Sequence, residues 1–137
     1  MKLTALTPNL VTTDLARATA FYRDVLGFSV VRAVPDEPPH VFVWLSRDEV
    51  TVFLNDAATV NNEMPAATTL VAGRSGVAMF ITVEDIAGLW DRIRHQVSVL
   101  MPLKDQWYGM TEFAISDPDG YVITFAERRA TPSGPEE

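Results

Sequence analysis

Two hydrophobic periods alternate along the chain, and each predicts a different kind of element. Apolar residues recurring every three to four positions predict a first helix, which begins at Asp14 or Thr13 and ends at Gly27. Runs rich in β-branched and aromatic residues predict strands, at residues 6–12, 28–34, 40–46 and 50–55. The first half of the chain is therefore expected to run strand, helix and then three strands.

The second half of the chain repeats this order. Its strands are predicted at residues 77–83, 97–101, 110–116 and 121–127. A helix between the first two strands has one apolar face, formed by Ile86, Leu89, Trp90 and Ile93. The last two strands are expected to form a hairpin, because residues 117–120 read Asp-Pro-Asp-Gly and suit a tight turn.

The two halves keep a constant offset of 71 residues. Asp14 and Asp85 each precede a predicted helix, and Thr7 and Ala78 each fall in a predicted opening strand. Few residues are identical, so the repeat rests on the shared order and spacing of elements. It predicts two similar modules that enclose a shared cleft.

These patterns predict an α+β fold, with two βαβββ modules in tandem forming a curved mixed sheet around the cleft and the helices on the outer face. A single domain would span residues 1–129, with module one at about 4–56, a linker at about 57–75 and module two at about 76–129. Residues 130–137 are expected to be a disordered tail.

Composition narrows the classes of function. The 137 residues are 47% hydrophobic, which is enough for a substantial core, and the lack of cysteine excludes disulfides and thiolate chemistry. A net charge of −7 argues against a nucleic-acid partner and is compatible with a cationic ligand, although an acidic balance also simply keeps proteins soluble. Because no apolar stretch is long enough to span a membrane and no signal-peptide pattern opens the chain, we expect a cytoplasmic protein with no membrane partner.

Two segments, residues 21–28 (FYRDVLGF) and 117–121 (DPDGY), resemble short motifs of a known family. With the paired modules, they make the chain resemble the vicinal oxygen chelate superfamily, which includes glyoxalase I, extradiol dioxygenases, and fosfomycin and bleomycin resistance proteins. The resemblance extends from about residue 6 to residue 127. Within the superfamily, residues 47–54 and 106–118 look most like bleomycin resistance proteins.

That resemblance implies a homodimer whose two clefts lie at the subunit interface and bind a bulky ligand without chemistry. It implies no cofactor. Exchange of modules and side-to-side packing are both open as modes of dimerisation.

Metal-using members of the superfamily carry ligands on the first and last strand of each module. Carried over by position, these ligands fall on Thr7, Phe53, Ala78 and Thr124. Phe53 and Ala78 have no donor atom, and a threonine hydroxyl is a poor ligand beside imidazole or carboxylate. We therefore expect no metal site.

The remaining residues that could bind a metal or take part in catalysis have structural interpretations. His40 is interpreted as a solvated or edge residue and His95 as a cation near a helix C-terminus. Neither a nucleophile elbow nor a phosphate-binding glycine loop occurs, and the paired carboxylates fall in predicted turns and caps. No catalytic residue is predicted.

Strand alternation and loop position identify the side chains expected to line the cleft. The expected ligand-binding residues are Asn9, Trp44, Phe53, Phe80, Trp107, Tyr108, Glu112 and Thr124. The aromatic rings can stack on a planar ligand or bind a cation, although Trp44 and Trp107 can equally be read as core or dimer-interface residues.

Two of these assignments carry open alternatives. Glu112 is either a carboxylate that pairs with a ligand cation or an outward-facing solvated residue. Trp44 faces the cleft if the turn at Asp48 and Glu49 has two residues, and faces away if the turn has three, because a slip of one residue reverses every side chain.

The leading hypothesis is a metal-independent small-molecule binding protein of the bleomycin-resistance type, which sequesters a bulky aromatic or cationic ligand. One alternative is a metal-dependent lyase or dioxygenase of the glyoxalase type. The other is a non-catalytic scaffold or regulatory subunit with a vestigial cleft.

Overall fold

A computed structural model describes residues 1–65, 72–73 and 76–130 of the chain. The chain divides into two compact units, Met1–Ser75 and Gly76–Glu137, which we call module one and module two. Residues 131–137 of the predicted tail lie outside the described residues, as do parts of the predicted linker.

Module one is a four-stranded mixed sheet with two helices. Its elements in chain order are β1 (Asn9–Thr12), α1 (Leu15–Ala20), β2 (Ser29–Val34), β3 (Phe42–Arg47), β4 (Val50–Asp56) and α2 (Ala57–Glu63). The helix α1 continues into a wider, π-helical turn over Phe21–Val25. The strands lie in the order β1-β4-β3-β2, with β1 and β4 parallel and the other pairs antiparallel.

Module two has the same architecture. Its elements are β5 (Met79–Thr82), α3 (Ile86–Ile93), β6 (Ser98–Asp105), β7 (Met110–Ser116) and β8 (Val122–Arg128). The strand order is β5-β8-β7-β6, again with only the first pair parallel. The predicted α+β fold of two βαβββ modules is thus confirmed, and none of the described helices is long and apolar enough to cross a membrane.

The internal repeat holds at the level of individual residue pairs. Asn9 pairs with Phe53 in module one, and Phe80 pairs with Thr124 in module two, so both partners are shifted by 71 residues. The helix caps obey the same offset: Asp14 accepts the backbone N–H of Arg17 at 3.0 Å, and Asp85 accepts that of Gly88 at 3.2 Å. Each carboxylate satisfies a backbone donor that the first helical turn leaves unpaired.

One face of each sheet, which we call the near face, packs against the helix and forms the core. In module one the buried side chains of α1 are Leu15 and Ala18, and in module two Trp90 of α3 packs on Phe113 with ring centroids 5.0 Å apart. The near-face strand residues buried to within 9% exposure include Leu10, Val43, Leu45, Val52, Leu54, Phe113, Ile123 and Phe125. Burial of such side chains supplies most of the favourable free energy of folding. The opposite surface of each sheet, which we call the far face, does not pack against that helix.

Strands β1, β3 and β5 begin two or three residues later than predicted, and two elements differ more strongly from the sequence-based expectations. Helix α2 lies where an unpatterned linker was predicted; it begins where Asp56 accepts the Thr59 N–H at 3.1 Å, and Val60 is its buried residue. With so little apolar surface, it has no helical period that a sequence pattern could reveal. Strand β6 runs past the predicted end at residue 101, because Pro102 is tolerated on an edge strand.

Candidate functional site

The turn between β3 and β4 determines where Trp44 points. Arg47 pairs with Val50, so the turn contains only Asp48 and Glu49. Asp48 adopts a φ of 51°, in the left-handed region that tight hairpin turns use. The two-residue alternative is therefore the one observed, and Trp44 lies opposite Phe53 on the far face.

Three aromatic rings form a platform on the far face of module one. Trp44 meets Phe53 edge to face, with ring centroids 5.8 Å apart and an interplanar angle of 77°. Phe42 contacts the same phenyl ring at 5.1 Å. Trp44 remains 38% exposed, so its ring stays accessible beside Phe53. We call Phe42, Trp44 and Phe53 the aromatic platform.

Polar groups flank the aromatic platform along one row of the sheet. Asn9 pairs with Phe53 on one side, and Arg32 pairs with Trp44 on the other. The side-chain amide of Asn55 donates a hydrogen bond to the side-chain oxygen of Asn9. That bond orients the Asn9 amide and leaves its own NH₂ group, on an exposed residue, as a donor for a ligand.

In the strands that the structure describes, the far face of module two lacks an equivalent aromatic platform. Phe80 is 57% exposed and lies beside the half-buried Thr124, its partner in the adjacent strand. Beyond Thr124 the row continues with Ala114, so the position that Trp44 holds in module one carries only a methyl group here. Val11 and Ala126, in the neighbouring rows of the two far faces, are 5% and 0% exposed and present little surface.

Glu112 is the charged residue buried in this face. Its exposure is 3%, so the interpretation as an outward-facing solvated residue is wrong. The Tyr108 hydroxyl donates to Glu112 Oε2 at 2.6 Å, a short bond of the charge-assisted type. This hydrogen bond raises the pKa of Tyr108 to about 12, with burial and the nearby negative charge adding to the effect.

Trp107 and Tyr108 lie together on the loop between β6 and β7. Their rings meet edge to face, with centroids 5.3 Å apart and an interplanar angle of 89°. Trp107 is 71% exposed. Glycine permits the tight return of the loop, since Gly109 has a φ of 91° and donates to the Gln106 carbonyl oxygen at 3.3 Å.

Arg129, which follows β8, is a residue of this region that sequence reasoning missed. Its guanidinium donates from Nη1 to the Met110 carbonyl oxygen at 2.8 Å and from Nη2 to the Gln106 carbonyl oxygen at 3.0 Å. In the sequence it is one of two arginines before the tail, and nothing in the local pattern distinguishes it from a solvated cation. Arg129 contacts the loop only because β8 ends beside it.

The positions that the resemblance associates with metal ligands do not fit a metal. The side chains of Phe53 and Ala78 carry no donor atom, and that of Thr124 offers only a neutral hydroxyl. Among residues 1–65, 72–73 and 76–130, no three His, Asp or Glu side chains come together in a group that could hold an ion. His40 Nδ1 lies 2.8 Å from the Pro35 carbonyl oxygen, and His95 is exposed after the end of α3.

Comparison with known proteins identifies relatives over nearly the whole chain. Residues 4–125 match the family described as the Glyoxalase/Bleomycin resistance protein/Dioxygenase superfamily. The bleomycin resistance protein of Geobacillus stearothermophilus is 32% identical over 130 residues, which cover 88% of this chain and 94% of that protein. These matches confirm the resemblance recognised from the two short motifs and the repeat.

Solved structures agree at the level of the fold. A glyoxalase/bleomycin resistance protein/dioxygenase from Nocardioides superposes with a TM-score of 0.76 at 21% identity, covering 100% of this chain and 90% of that chain. TioX from Micromonospora sp. ML1 superposes with a TM-score of 0.75 at 18% identity, covering 91% and 98% of the two chains.

Proposed function

This chain belongs to the glyoxalase/bleomycin resistance protein/dioxygenase superfamily, and we propose that it is a metal-independent small-molecule binding protein of the bleomycin-resistance type. It sequesters a bulky ligand that carries an aromatic or cationic group. The fold alone does not separate this function from the others in the superfamily, because function depends on the side chains placed on the fold. The proposal therefore rests on the far-face residues.

The observation that carries the proposal is the exposed aromatic platform. Trp44 packs edge to face on Phe53, yet more than a third of its surface is exposed. A ring that packs on its neighbour and is left accessible suits a planar ligand, because the neighbour already restricts the side chain before the ligand stacks on it. Trp107 supplies a second exposed indole, from a loop in module two.

Glu112 supports recognition of a cationic group. A carboxylate that is 3% exposed and held by the Tyr108 hydroxyl is a strong local source of negative potential, because low surrounding polarity screens it weakly. The net charge of −7 adds a long-range attraction for cations. Tyr108 and Trp107 can also bind a cation through their ring faces.

Sequestration needs no covalent step, so the proposed mechanism consists of binding alone. The aromatic platform and Trp107 stack on the planar part of the ligand, Asn9 and Thr124 provide polar contacts, and Phe80 provides apolar surface. The buried Glu112 attracts the cationic group of the ligand through its negative potential. The ligand is held away from its target for as long as it remains bound. That these residues share one cleft at a homodimer interface, and that the protein is cytoplasmic, remain predictions from the sequence.

Calorimetric titration of the purified protein with bleomycin, together with a thermal-shift screen of cationic antibiotics and glycopeptides, tests the proposal. A ligand that binds only the native state raises the apparent melting temperature. In the Trp44→Ala and Trp107→Ala variants we expect the affinity for the best ligand to fall by roughly tenfold or more each, because one stacking partner of about 1–3 kcal/mol is removed.

Trp90→Phe is the matched control, because Trp90 packs on Phe113 in the core and offers no ligand surface on the far face. Its affinity should equal that of the unmodified protein. If no compound in the screen binds, or if Trp90→Phe weakens binding as much as Trp44→Ala, the proposed role of the far face is wrong. Light scattering determines whether the protein is the predicted homodimer.

A further inference from the structure

The loop formed by residues 106–109 presents Trp107 with 71% of its surface exposed. An aromatic side chain on a freely moving loop would have to be ordered each time a ligand binds, and that ordering would weaken the affinity. A loop fixed before binding avoids this loss. The structure shows which residue could fix it.

The guanidinium of Arg129 joins the two ends of the loop. It donates to the carbonyl oxygen of Gln106, where the loop begins, at 3.0 Å, and to that of Met110, where β7 begins, at 2.8 Å. The backbone N–H of Arg129 donates in addition to the Gly109 carbonyl oxygen at 2.9 Å. A single residue therefore contacts three carbonyl groups in and beside a four-residue loop.

A carboxylate on β6 supports this arrangement from the other side. Asp105 Oδ1 lies 3.7 Å from Arg129 Nη1, where only 16% of the arginine side chain is exposed. The same oxygen accepts the Thr111 hydroxyl at 2.7 Å. The guanidinium therefore lies near this carboxylate, which is 69% exposed, as well as against the loop backbone.

The chemistry of the contact requires arginine in particular. The planar guanidinium presents several donors in a fixed fork, whereas a lysine ammonium is a single point that cannot reach two separated carbonyls equally well. Arg129 Nε, in contrast, is buried and has no hydrogen-bond partner among the described residues. Such a buried unpaired donor is unfavourable for stability.

We propose that Arg129 is a positioning residue, which fixes the loop of residues 106–109 through its carbonyl contacts and so presents Trp107 in one orientation. Arg129 does not touch the ligand. Its effect on affinity rests on the proposed function, whereas its effect on the orientation of Trp107 does not.

Fluorine NMR of protein labelled with fluorotryptophan tests the orientation without any ligand. The three tryptophans give separate signals, which Trp→Phe variants assign. In Arg129→Met we expect the Trp107 signal to shift and broaden while the Trp44 and Trp90 signals stay unchanged and report an intact fold. Arg129→Lys, which keeps the charge, should show an intermediate change and serves if Arg129→Met does not fold. Arg92→Met, which removes the same charge from an exposed position on α3, should alter none of the three signals.

Affinity for bleomycin, measured by calorimetry, tests the consequence. Arg129→Met should weaken binding by roughly tenfold in the otherwise unmodified protein, and by less than about twofold when Trp107 is already alanine. An unchanged Trp107 signal in Arg129→Met overturns the proposal, as does an equal loss of affinity in both backgrounds. If bleomycin does not bind the unmodified protein, the proposed binding of bleomycin fails, and the fluorine signals alone decide the role of Arg129.

Discussion

The far faces of the two modules occupy equivalent positions in the repeat but carry different chemistry. In module one, the row across the sheet reads Asn9, Phe53, Trp44 and Arg32. In module two, the equivalent row reads Phe80, Thr124, Ala114 and Met101. In the next row, Phe42 of module one is replaced in module two by Glu112, which Tyr108 covers.

The near faces, in contrast, keep the same character in both modules. Leu54 of module one and Phe125 of module two are related by the offset of 71, and both are buried apolar residues. Packing against a helix allows only apolar side chains of suitable size, so this face changes little. The far face is free of that requirement. A duplicated module can therefore acquire an aromatic platform in one copy and a buried carboxylate in the other without losing its fold.

The largest effect should come from truncating an apolar side chain in the near-face core that each module forms. We expect Leu54→Ala in module one and Ile123→Ala in module two each to lower the free energy of unfolding by about 2–5 kcal/mol, because each side chain is buried to within 1% exposure and its loss leaves a cavity. Urea denaturation monitored by circular dichroism measures the loss. Thr124→Ala, next to Ile123 but on the far face, is the control and should change the free energy by less than about 0.5 kcal/mol. Equal losses at positions 123 and 124 would contradict the division into near and far faces.

An intermediate effect should come from breaking the hydrogen bond between Tyr108 and Glu112, where module one has Phe42 instead of a carboxylate. Tyr108→Phe removes a donor from the buried Glu112 carboxylate, and we expect the free energy of unfolding to fall by about 1–3 kcal/mol. The same substitution in a Glu112→Leu background is the control. Because both hydrogen-bonding groups are then absent, the further loss should be below about 0.5 kcal/mol. A similar loss in both backgrounds would mean that the hydroxyl stabilises the protein through some other contact.

The smallest effect should be confined to alkaline pH. The pKa of Tyr108 is raised to about 12 by its bond to Glu112, so Glu112→Gln should lower it toward the ordinary tyrosine value of about 10. Because the folded-state pKa lies above the unfolded one, the stabilisation is complete below about pH 10 and is lost as the pH rises toward 12. Ultraviolet titration of tyrosinate, comparing the unmodified protein with Glu112→Gln, measures the shift. Identical titration curves would show that the carboxylate does not hold the phenolic proton.

Much of the fold could be predicted from the sequence because it depends on local patterns. The periods of apolar residues, the capping aspartates and the turn at residues 117–120 each act within a few residues along the chain. Their recurrence at an offset of 71 residues was sufficient to predict two modules of the same topology. Helix α2 escaped prediction because Val60 is its only buried residue, and one buried residue does not define a period.

The candidate site was predicted in part. Alternation identified Trp44 and Phe53, but the side of the sheet on which Trp44 lies depended on a turn of two residues or three. Glu112 was identified as a residue of interest, whereas its burial and its bond to Tyr108 were not. Arg129 was missed, because its partners lie 19 and 23 residues earlier in the chain and are backbone carbonyls, which leave no trace in the sequence.

The sequence by itself determined the order of elements, the duplication, the apolar near faces and the family to which the chain belongs, because each of these is a property of residue type and spacing. Only the tertiary structure decided that Trp44 is exposed beside Phe53, that Glu112 is buried under the Tyr108 hydroxyl, and that Arg129 joins the ends of the loop that carries Trp107. Those features arise where separate strands and loops meet. Their distances and burial depend on how the whole module packs rather than on any local pattern.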